Sequence, residues 1–417
     1  MKQDAGSNIL TVRENNLALI IRLMHRAGVC TRAQLSESTG LKQATITYII
    51  NDLTEWGLVE ETGAVEGKHG RRSKGIRLRC GCFRIIGVRI RRDRILLGVF
   101  DITGSLLEQE TIQTAGLSAE QALGRLAERL NGLIARDPEL TFLGVGLVVP
   151  GPFNTHTGRV EMISNMPTWS NVNIAETLKN AGVPIPIFAE HDAKCGALGE
   201  VWYGDVGDHR DILVITAENA AVGAGIIVDG QLYGGRLGMA GEIGHMSIDY
   251  TGELCECGNR GCLETYCSAA RIRTLYRQEL VASGSPEDAA HMHDSIEQIL
   301  AAVAAGDPNA RRAFRKVAVY LGLGLVNLVN ILNPSLIVLS GWLAEAGSYL
   351  VDVLSETLRR HLVPALYETL TVRLSNPTGD MQLFGASALV MEHILEQPTL
   401  YFRPSELPGE EEAEDEE

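Results

Sequence analysis

One histidine and three cysteines lie close together in the second half of the chain, and they constrain its fold more than any other feature. The four side chains fall within eighteen residues and are His245, Cys255, Cys257 and Cys262. One imidazole and three thiolates form a closed ligand set for a structural zinc ion, Zn2+, with no position left for a catalytic water. Gly258 and Gly261 permit the tight turns that aim the sulfurs at one point. The alternative is unliganded buried cysteines, an interpretation that suits Cys30 and Cys267 better, because a glycine-rich polar loop offers thiols little to pack against.

Two glutamates flank these candidate ligands. Glu242 precedes His245 by three residues, and Glu264 follows Cys262 by two. A metal ion that folds the loop would also fix both carboxylates near one point. Carboxylates accept hydrogen bonds from neighbouring hydroxyl groups, which is what the binding of a polyol requires. The alternative interpretation is a pair of solvated surface acids.

Charge is unevenly distributed along the 417 residues. The chain has a formal charge of −15, and seven acidic residues fall in the last eight positions, Glu410 to Glu417. Residues 1–80 contain 12 lysines and arginines against 8 aspartates and glutamates, so this head is basic. An acidic body should repel nucleic acid and anionic membranes, whereas a small basic head suits a polyanionic partner.

The apolar segments do not have the pattern of a secretory signal or a membrane span. Met1 to Asn8 is polar, and Arg22 and Arg26 interrupt the first apolar stretch. The most apolar run, Leu321 to Leu339, contains three asparagines and Pro334, so we expect a buried helix followed by a strand. Eight cysteines in such a chain favour metal binding or inert core positions over disulfides. These features predict a cytoplasmic protein that does not bind membranes.

Three helices are predicted in the basic head. An apolar stripe at helical spacing marks the first helix, which Gly28 ends. Thr31 with Gln34 forms a capping-box start for a second helix that ends near Gly40. The third helix has Gly57 just past its end. Its apolar stripe comprises Ile46, Ile49, Ile50 and Leu53.

A hairpin after the third helix completes the pattern of a winged helix-turn-helix. Two predicted strands, 58–61 and 75–79, enclose a glycine-rich basic tip at 67–74. The third helix fits the major groove of DNA, where polar side chains reach base edges, and arginines at the tip meet phosphates or a narrow minor groove. The predicted DNA contacts are Arg32, Lys42, Gln43, Thr45, Thr47, Tyr48, Arg71 and Arg72. The alternative is a three-helix packing module with a solvated charged loop.

Beyond residue 80 the pattern predicts an α/β body with mixed sheets in two lobes. Strands with period-two alternation start at Phe83, and helices and strands alternate after them. After Pro408 the acidic tail cannot bury enough apolar surface to fold. We therefore expect a head at 1–80, a first lobe at 81–200, a second lobe with the zinc loop at 201–398 and an acidic disordered tail at 399–417.

The segment from Gly241 to Glu264 resembles the signature of the ROK family, whose members are repressors, open reading frames and sugar kinases. The resemblance extends from the helix-turn-helix to about residue 395. A winged helix joined to a ROK body is similar to the NagC, Mlc and xylose-repressor type of regulator. The resemblance implies an actin-like, ribonuclease-H-like body whose two lobes close on a sugar.

The same resemblance implies which residues contact the sugar. The loop at 149–152 resembles the one whose glycine backs the sugar ring, and the segment at 164–169 resembles the one that supplies an asparagine. The segment at 190–193 resembles the kinase segment whose aspartate is the general base, with a histidine here in place of the kinase asparagine. The implied sugar-binding residues are Gly151, Asn165, His191, Asp192, Glu242, His245 and Glu264.

The nucleotide-binding elements of the family's kinases are altered in this chain. The Asp-x-Gly-Gly-Thr phosphate turn corresponds to residues 89–93, which read Arg-Ile-Arg-Arg-Asp. The second glycine loop corresponds to 219–225, keeps only its last two glycines and has Glu218 beside it; the adenosine-side Gly-Gly is reduced to Ser340-Gly341. Phosphoryl transfer depends on backbone N–H groups that close on the phosphates. We therefore expect a sensor without kinase activity, even though Asp192 matches the kinase base.

Together these features predict a sugar-responsive transcription regulator, a repressor of carbohydrate-utilisation genes. The expected partners are an operator duplex, a sugar or sugar phosphate, and further copies of the chain in a homodimer or tetramer, since one helix-turn-helix makes few base contacts. Two alternatives stay open. One is a ROK sugar kinase with a DNA-binding head, and the other is a regulator whose body responds to a protein partner.

Overall fold

The computed structural model describes residues 9–66, 72–161, 166–218, 221–291, 295–375 and 379–402. The tip of the predicted wing at 67–71, Asn165, and the acidic tail from residue 403 onward lie outside the described residues.

The head consists of three helices and a three-stranded sheet. Its elements are α1 (Ile9–Ala27), β1 (Val29–Cys30), α2 (Arg32–Thr39), α3 (Gln43–Glu55), β2 (Val59–Glu66) and β3 (Arg72–Leu78). The sheet has the order β1-β3-β2, with β2 and β3 antiparallel. The predicted capping box is present: Thr31 Oγ1 accepts a hydrogen bond from Gln34 N at 3.2 Å, and Gln34 Oε1 accepts one from Thr31 N at 2.8 Å. The predicted winged helix-turn-helix is confirmed.

The core of the head is formed by the apolar stripes that define its helices. Burial of aliphatic side chains is the main term that holds such short helices in place. The buried residues of α1 and α3 are Leu17, Ile20, Ile21, Met24, Ile46, Ile49, Ile50 and Leu53. Helix α1 begins six residues before Asn15, the first residue of the predicted helical segment. The reason is that its first turns pack beside helix α16 (Pro398–Phe402), near the C-terminal end of the described residues. There Glu14 accepts a hydrogen bond from Thr399 N at 3.2 Å.

A five-stranded mixed sheet forms the first lobe. Its strands are β4 (Phe83–Ile90), β5 (Arg94–Phe100), β6 (Leu106–Gln113), β7 (Thr141–Val149) and β10 (Ile187–His191), in the order β10-β7-β4-β5-β6. β4, β5 and β6 are antiparallel neighbours, and β7 and β10 run parallel to β4. Helices α4 (Ala119–Arg136) and α5 (Ile174–Asn180) share an apolar core with this sheet. A small ribbon of β8 (Phe153–Asn154) and β9 (Arg159–Val160) follows β7.

The second lobe repeats this arrangement. Its strands are β11 (Ile212–Glu218), β12 (Ala221–Val228), β13 (Gln231–Leu232), β14 (Leu336–Gly341) and β15 (Thr371–Leu374), in the order β13-β12-β11-β14-β15. Again three consecutive strands are antiparallel, and two later strands run parallel to the first of them. The repetition of one sheet pattern confirms the predicted two-lobed α/β body.

Helices surround the second sheet. They are α7 (Leu263–Cys267), α8 (Ala269–Ala282), α9 (Pro286–His291), α10 (Ile296–Ala305), α11 (Pro308–Leu332), α12 (Trp342–Glu345), α13 (Ser348–His361) and α14 (Pro364–Glu368). Among the described helices, only α11 is long and apolar enough to cross a membrane by length and composition. Its side chains Phe314, Leu321 and Leu325 are buried in the core of the second lobe. The predicted buried helix followed by a strand is therefore α11 followed by β14.

Two helices lie at the centre of the body. Helix α6 (Asp192–Tyr203) contacts strands of both sheets, and α15 (Met381–Ile394) packs along α6. A Cβ atom at Gly385 would lie 1.7 Å from the carbonyl oxygen of Cys195, so a glycine is required for the two helices to approach this closely. Because this helix pair contacts both sheets, a movement of one lobe relative to the other would change its packing.

The structure differs from the predicted division of the chain at its C-terminal end. Helix α15, which that division assigns to the second lobe, packs on β4 and β7 of the first sheet. Residues 399–402, which it assigns to the tail, complete helix α16 (Pro398–Phe402). Phe402 is buried, with its ring centroid 5.4 Å from that of Phe83. The physical reason is that these C-terminal apolar side chains cover core that the head and first sheet would otherwise expose.

Candidate functional site

The structure brings the four predicted metal ligands together. One ligand atom from each of His245, Cys255, Cys257 and Cys262 lies within 4.8 Å of the other three. Cys255 Sγ is 3.8 Å from His245 Nδ1, and Cys257 Sγ is 3.7 Å from Cys262 Sγ. Tetrahedral zinc with bonds of about 2.1–2.3 Å places its ligand atoms roughly 3.4–3.8 Å apart. The donor set and the spacing both fit a tetrahedral ion, so this cluster can hold a metal.

Backbone hydrogen bonds shape the loop that carries these ligands. Cys255 N donates to the Asn259 carbonyl at 2.8 Å, and Gly258 N donates back to the Cys255 carbonyl at 2.9 Å. Gly258 and Gly261 have φ angles of 89° and 65°, in the left-handed region that the predicted tight turns require. Burial raises the pKa of the Cys262 thiol to about 12, so its thiolate form requires a positive charge beside it. A dication held by these four ligands would supply that charge.

The candidate sugar site lies where β10 ends and α6 begins. His191 is the last residue of β10, and its Nε2 atom is 3.2 Å from Asp192 Oδ1 and 4.0 Å from Glu242 Oε1. The polar groups of two sequence segments about fifty residues apart thus meet at one point. This edge of a sheet, where parallel strands end, is where open α/β proteins bind their ligands.

The metal loop and strand β12 position the two glutamates of this site. Gly241 has a φ of 103°, and a Cβ atom there would lie 2.0 Å from the Ala224 carbonyl oxygen, so only glycine lets Glu242 lie this close to β12. Glu264 is the second residue of α7, and this helix begins directly after Cys262. Burial raises the pKa of the Glu264 carboxyl group, while the charge of His245 and a hydrogen bond from Val222 N–H partly oppose that rise.

The described part of the predicted sugar set also includes Gly151, which follows β7. Its φ is 78°, so the chain turns sharply there at the end of the strand. Val149, two residues earlier, pairs with His191, which places this turn beside the start of α6. The predicted Asn165 lies outside the described residues.

A buried ion pair supports this site and was not predicted from the sequence. Lys194 is 1% exposed, and its Nζ donates to Glu190 Oε1 at 3.2 Å and to the Gly238 carbonyl. Glu190 Oε1 also accepts a hydrogen bond from His191 N at 2.7 Å. The four-residue spacing of Glu190 and Lys194 could have indicated the pair, but the strand–helix boundary between them concealed it.

A second buried group of charges lies at the end of β4, around Arg89. Arg89 is buried, and its two terminal nitrogens donate to Glu218 and to Asp380. Burial by itself would lower the pKa of Arg89, but the carboxylates of Glu218 and Asp380 raise it overall. Burial raises the pKa of Glu218 despite the opposing charge of Arg89. The arginine is therefore held charged by two carboxylates from other elements.

The predicted DNA-contacting residues of α3 lie on its outer surface. Lys42, Gln43, Thr47 and Tyr48 are exposed and Thr45 is half-buried, while the opposite stripe of α3 is buried. Arg32 instead pairs with Glu61 of β2 at 3.2 Å, and Lys74 of β3 pairs with the same carboxylate at 2.7 Å. Arg72 is the first residue of β3, and Arg71 lies outside the described residues.

The far end of α6 contacts the head. Trp202 Nε1 donates to Glu392 Oε1 at 2.8 Å, and Arg22 of α1 donates to the other oxygen of that carboxylate at 2.6 Å. The His25 ring lies edge-on to Trp202, with ring centroids 4.8 Å apart, and 5.5 Å from Tyr203. Helix α6 thus begins in the candidate sugar site and ends against the first helix of the head. Sequence analysis did not identify this contact, because it joins segments that are far apart in the chain.

The fold and the site define a class of protein: a two-lobed α/β body with polar side chains at the ends of parallel strands, a loop whose histidine and three cysteines can hold a metal, and a winged-helix head. Residues 85–393 match the ROK family model, and the chain belongs to the ROK family.

Known proteins of similar sequence and structure include both regulators and kinases. The chain is 27% identical over 399 residues to the xylose repressor of Caldicellulosiruptor bescii, covering 94% of this chain and 99% of that protein. A crystal structure of a ROK family transcriptional regulator, a homologue of the Escherichia coli Mlc protein, has a TM-score of 0.77 and 27% identity, covering 93% of this chain and 97% of that chain. A ROK glucokinase from Streptomyces griseus, solved with glucose and AMPPNP, has a TM-score of 0.63 and 28% identity, covering 73% of this chain and 98% of that one. Similarity to the regulators therefore includes the head.

Proposed function

We propose that this protein is a sugar-responsive, DNA-binding transcription regulator that represses carbohydrate-utilisation genes. The observation that carries the proposal is that one helix, α6, starts at Asp192 in the candidate sugar site and ends at Trp202 and Tyr203 against the head. The similarity to a xylose repressor and to a ROK transcriptional regulator over more than nine-tenths of the chain supports the same class.

The sugar site comprises Gly151, Asn165, His191, Asp192, Glu242, His245 and Glu264 in this proposal. Carboxylates accept hydrogen bonds from sugar hydroxyl groups, and the His191 ring offers further hydrogen-bonding nitrogen atoms. Two of these groups, His191 and Asp192, belong to the first lobe and α6, whereas Glu242 and Glu264 belong to the second lobe. A sugar that bridges both sets binds more tightly when the lobes are closed, and this difference in affinity is what an effector requires.

The metal in this proposal is a structural zinc ion held by His245, Cys255, Cys257 and Cys262. Zinc with four protein ligands has no open position for catalysis, so its role is to fold the loop. By folding the loop, the four ligands also fix Glu242 and Glu264 relative to β12. His245 belongs to both sets, with one ring nitrogen toward the metal and the other available to the sugar site.

DNA binding in this proposal depends on the exposed face of α3. Lys42 and Gln43 open the helix, and Thr45, Thr47 and Tyr48 continue its outer surface, while Arg71 and Arg72 at the wing meet phosphates. Arg32 contributes through its pairing with Glu61, which orients it beside β3. A homodimer or tetramer in the cytoplasm would present two heads to two half-sites.

A kinase is the second candidate function, because Asp192 is present at the start of α6 and the body is similar to a glucokinase. The position of Arg89 weighs against it. The guanidinium and its two carboxylates occupy the strand end at which a kinase phosphate loop would need free backbone N–H groups. ATP-dependent phosphorylation of a hexose by the pure protein would establish this alternative.

The proposal is tested by a sugar panel followed by a DNA-binding assay. The purified full-length protein is screened by thermal shift against xylose, glucose, N-acetylglucosamine and their phosphates, and an operator duplex is selected from random DNA. We expect at least one sugar to raise the melting temperature and to change the duplex affinity by ~5–150-fold. A protein that binds the duplex but ignores every sugar would instead favour a body that responds to a protein partner, and a protein that binds neither would end the proposal.

A further inference from the structure

The charged group at the end of β4 lies beside the sugar site. Arg89, Val148 and Glu190 are side by side in register across β4, β7 and β10. Neighbouring strands are about 4.8 Å apart, so the backbones of Arg89 and Glu190 are roughly 10 Å apart. Glu190 directly precedes His191 and Asp192, so Arg89 lies about two strand spacings from the candidate sugar site.

The side chain of Arg89 is poorly accessible to a phosphate group attached to a sugar. It is 5% exposed, and its two terminal nitrogens are taken by Glu218 of the second lobe and by Asp380 at the start of α15. Arg91 is also turned to this network, with Nη2 3.9 Å from the second oxygen of Glu218. A phosphate normally binds an arginine through two parallel N–H bonds, and here it would compete with Glu218 and Asp380, to which the two terminal nitrogens already donate.

The charges around the crevice also oppose a phosphate. Its cations are Arg89, Arg91 and Lys194, and each of them is paired or faces a carboxylate. Its carboxylates are Glu190, Asp192, Glu218, Glu242, Glu264 and Asp380. A phosphate that displaced Glu218 from Arg89 would break the ion pair between the lobes and leave the Glu218 carboxylate, whose side chain is 23% exposed, with only the more distant Arg91 at 3.9 Å, which is unfavourable.

We propose that Glu218 is a specificity-determining residue: by holding Arg89 in a cross-lobe ion pair, it excludes phosphate groups from the crevice, so that the site binds an uncharged sugar and discriminates against its phosphorylated form. The inference rests on the proposed function, because it presupposes that a sugar binds beside Asp192. It adds the chemical class of the effector and the residue that selects it.

Calorimetric titration of the full-length protein with matched pairs of ligands tests this proposal. The pairs are xylose and xylose 5-phosphate, glucose and glucose 6-phosphate, and N-acetylglucosamine and its 6-phosphate. For the pair that binds, we expect the uncharged member to bind at least tenfold more tightly. In Glu218→Gln that ratio should fall at least threefold, through tighter binding of the phosphorylated member, whereas Glu218→Asp should keep most of the discrimination.

Two further variants keep the test decisive. Glu356→Gln removes an exposed carboxylate that pairs with Arg315 at 2.7 Å and should leave the ratio unchanged. Asp380→Asn frees the other nitrogen of Arg89 and replaces Glu218→Gln if that variant does not fold. A phosphorylated sugar that binds as tightly as its uncharged partner, or a ratio that Glu218→Gln and Asp380→Asn leave unchanged, would overturn the inference. Failure of every sugar to bind would instead overturn the proposed sugar response itself, so the two failures are distinguishable.

Discussion

Substitution of Trp202 should uncouple the sugar site from the head without removing either. The Trp202 indole connects α6 to α1. Its N–H donates to Glu392 of α15, and its ring packs edge-on against His25 of α1. Both the proposed sugar contacts at the start of α6 and the exposed face of α3 are distant from this residue. We therefore expect Trp202→Ala to bind the effector sugar and the operator, but to lose most of the effect of the one on the other.

The contacts of this one side chain are large enough for that outcome. A hydrogen bond to a charged acceptor contributes about 1.5–3 kcal/mol, and the lower end applies because Glu392 is 30% exposed. An edge-on ring pair adds about 0.5–1.5 kcal/mol. The Arg22 guanidinium lies 6.0 Å from the indole centroid, and a partly exposed cation–ring contact of this kind is worth about 0.5–1 kcal/mol. The sum is comparable to an allosteric coupling of ~1–3 kcal/mol.

The assay is fluorescence anisotropy of a labelled operator duplex with and without a saturating sugar, for which the ratio of the two Kd values measures coupling. Trp202→Ala should bring this ratio close to one. Trp202→Phe keeps a ring but loses the N–H donor, so its ratio should lie between those of the wild type and the alanine variant. Tyr250→Ala, at a position 88% exposed in the metal loop, is the matched control and should keep the full ratio. A folded Trp202→Ala variant with the wild-type ratio would refute the proposed route through α6.

Four further outcomes are expected. Cys257→Ser should lose the bound zinc, as measured by mass spectrometry of the metal, and a full metal content in that variant would contradict the ligand set. Glu242→Gln should abolish the sugar response and retain operator binding; a normal response would show that the sugar site lies elsewhere. Joint replacement of Arg71 and Arg72 by alanine should weaken DNA binding and reduce its salt slope by up to about two, whereas an unchanged slope would remove the wing from the interface. Burial lowers the pKa of His25 below 6.5, and the Thr103 backbone and Asp101 partly oppose this shift. The stabilisation from the neutral His25 ring should therefore be present above pH 6.5. It should be lost as the pH falls through the lower pKa of the folded state. When the pH is lowered from about 7.5 to about 5, the melting temperature of His25→Phe should therefore fall less than that of the wild type. Parallel plots of melting temperature against pH for the two proteins would contradict this.

Sequence analysis predicted well those features that depend on neighbouring residues. The capping box of Thr31 and Gln34 is a contact across three positions, and the metal loop brings its ligands together within eighteen. Period-two alternation after Phe83 identified the first hairpins, because each strand alternates side chains between two faces. In each of these cases the interaction that forms the structure is encoded in a short segment.

Features that join distant segments could not be predicted in the same way. Arg89 is 129 residues from Glu218 and 291 from Asp380. In the sequence, Arg89 was recognised only as a residue that does not fit a phosphate turn, and Asp380 carried no signal. The position of α15 against the first sheet also depends on contacts between distant segments, because it is set by how the chain returns after β15. The sequence predicts a mainly helical C-terminal third, but only the three-dimensional packing shows which sheet α15 covers.

The Arg89 network also explains how the two-lobed body can signal without a nucleotide. Arg89 from the first sheet and Glu218 from the second form an ion pair between the lobes, and both partners are part of the chain. An interaction present in every molecule cannot report a ligand, but it can set the energy difference between open and closed lobes. A near-complete shift from open to closed lobes takes about 5.5 kcal/mol of differential affinity. A sugar needs to supply less than that where the ion pair has already reduced the energy difference between the two states. Weakening the ion pair by Glu218→Gln should therefore lower the apparent affinity for an uncharged sugar as well as relax its discrimination. An unchanged affinity for the uncharged member of the pair would show that the network excludes phosphate but plays no part in lobe closure.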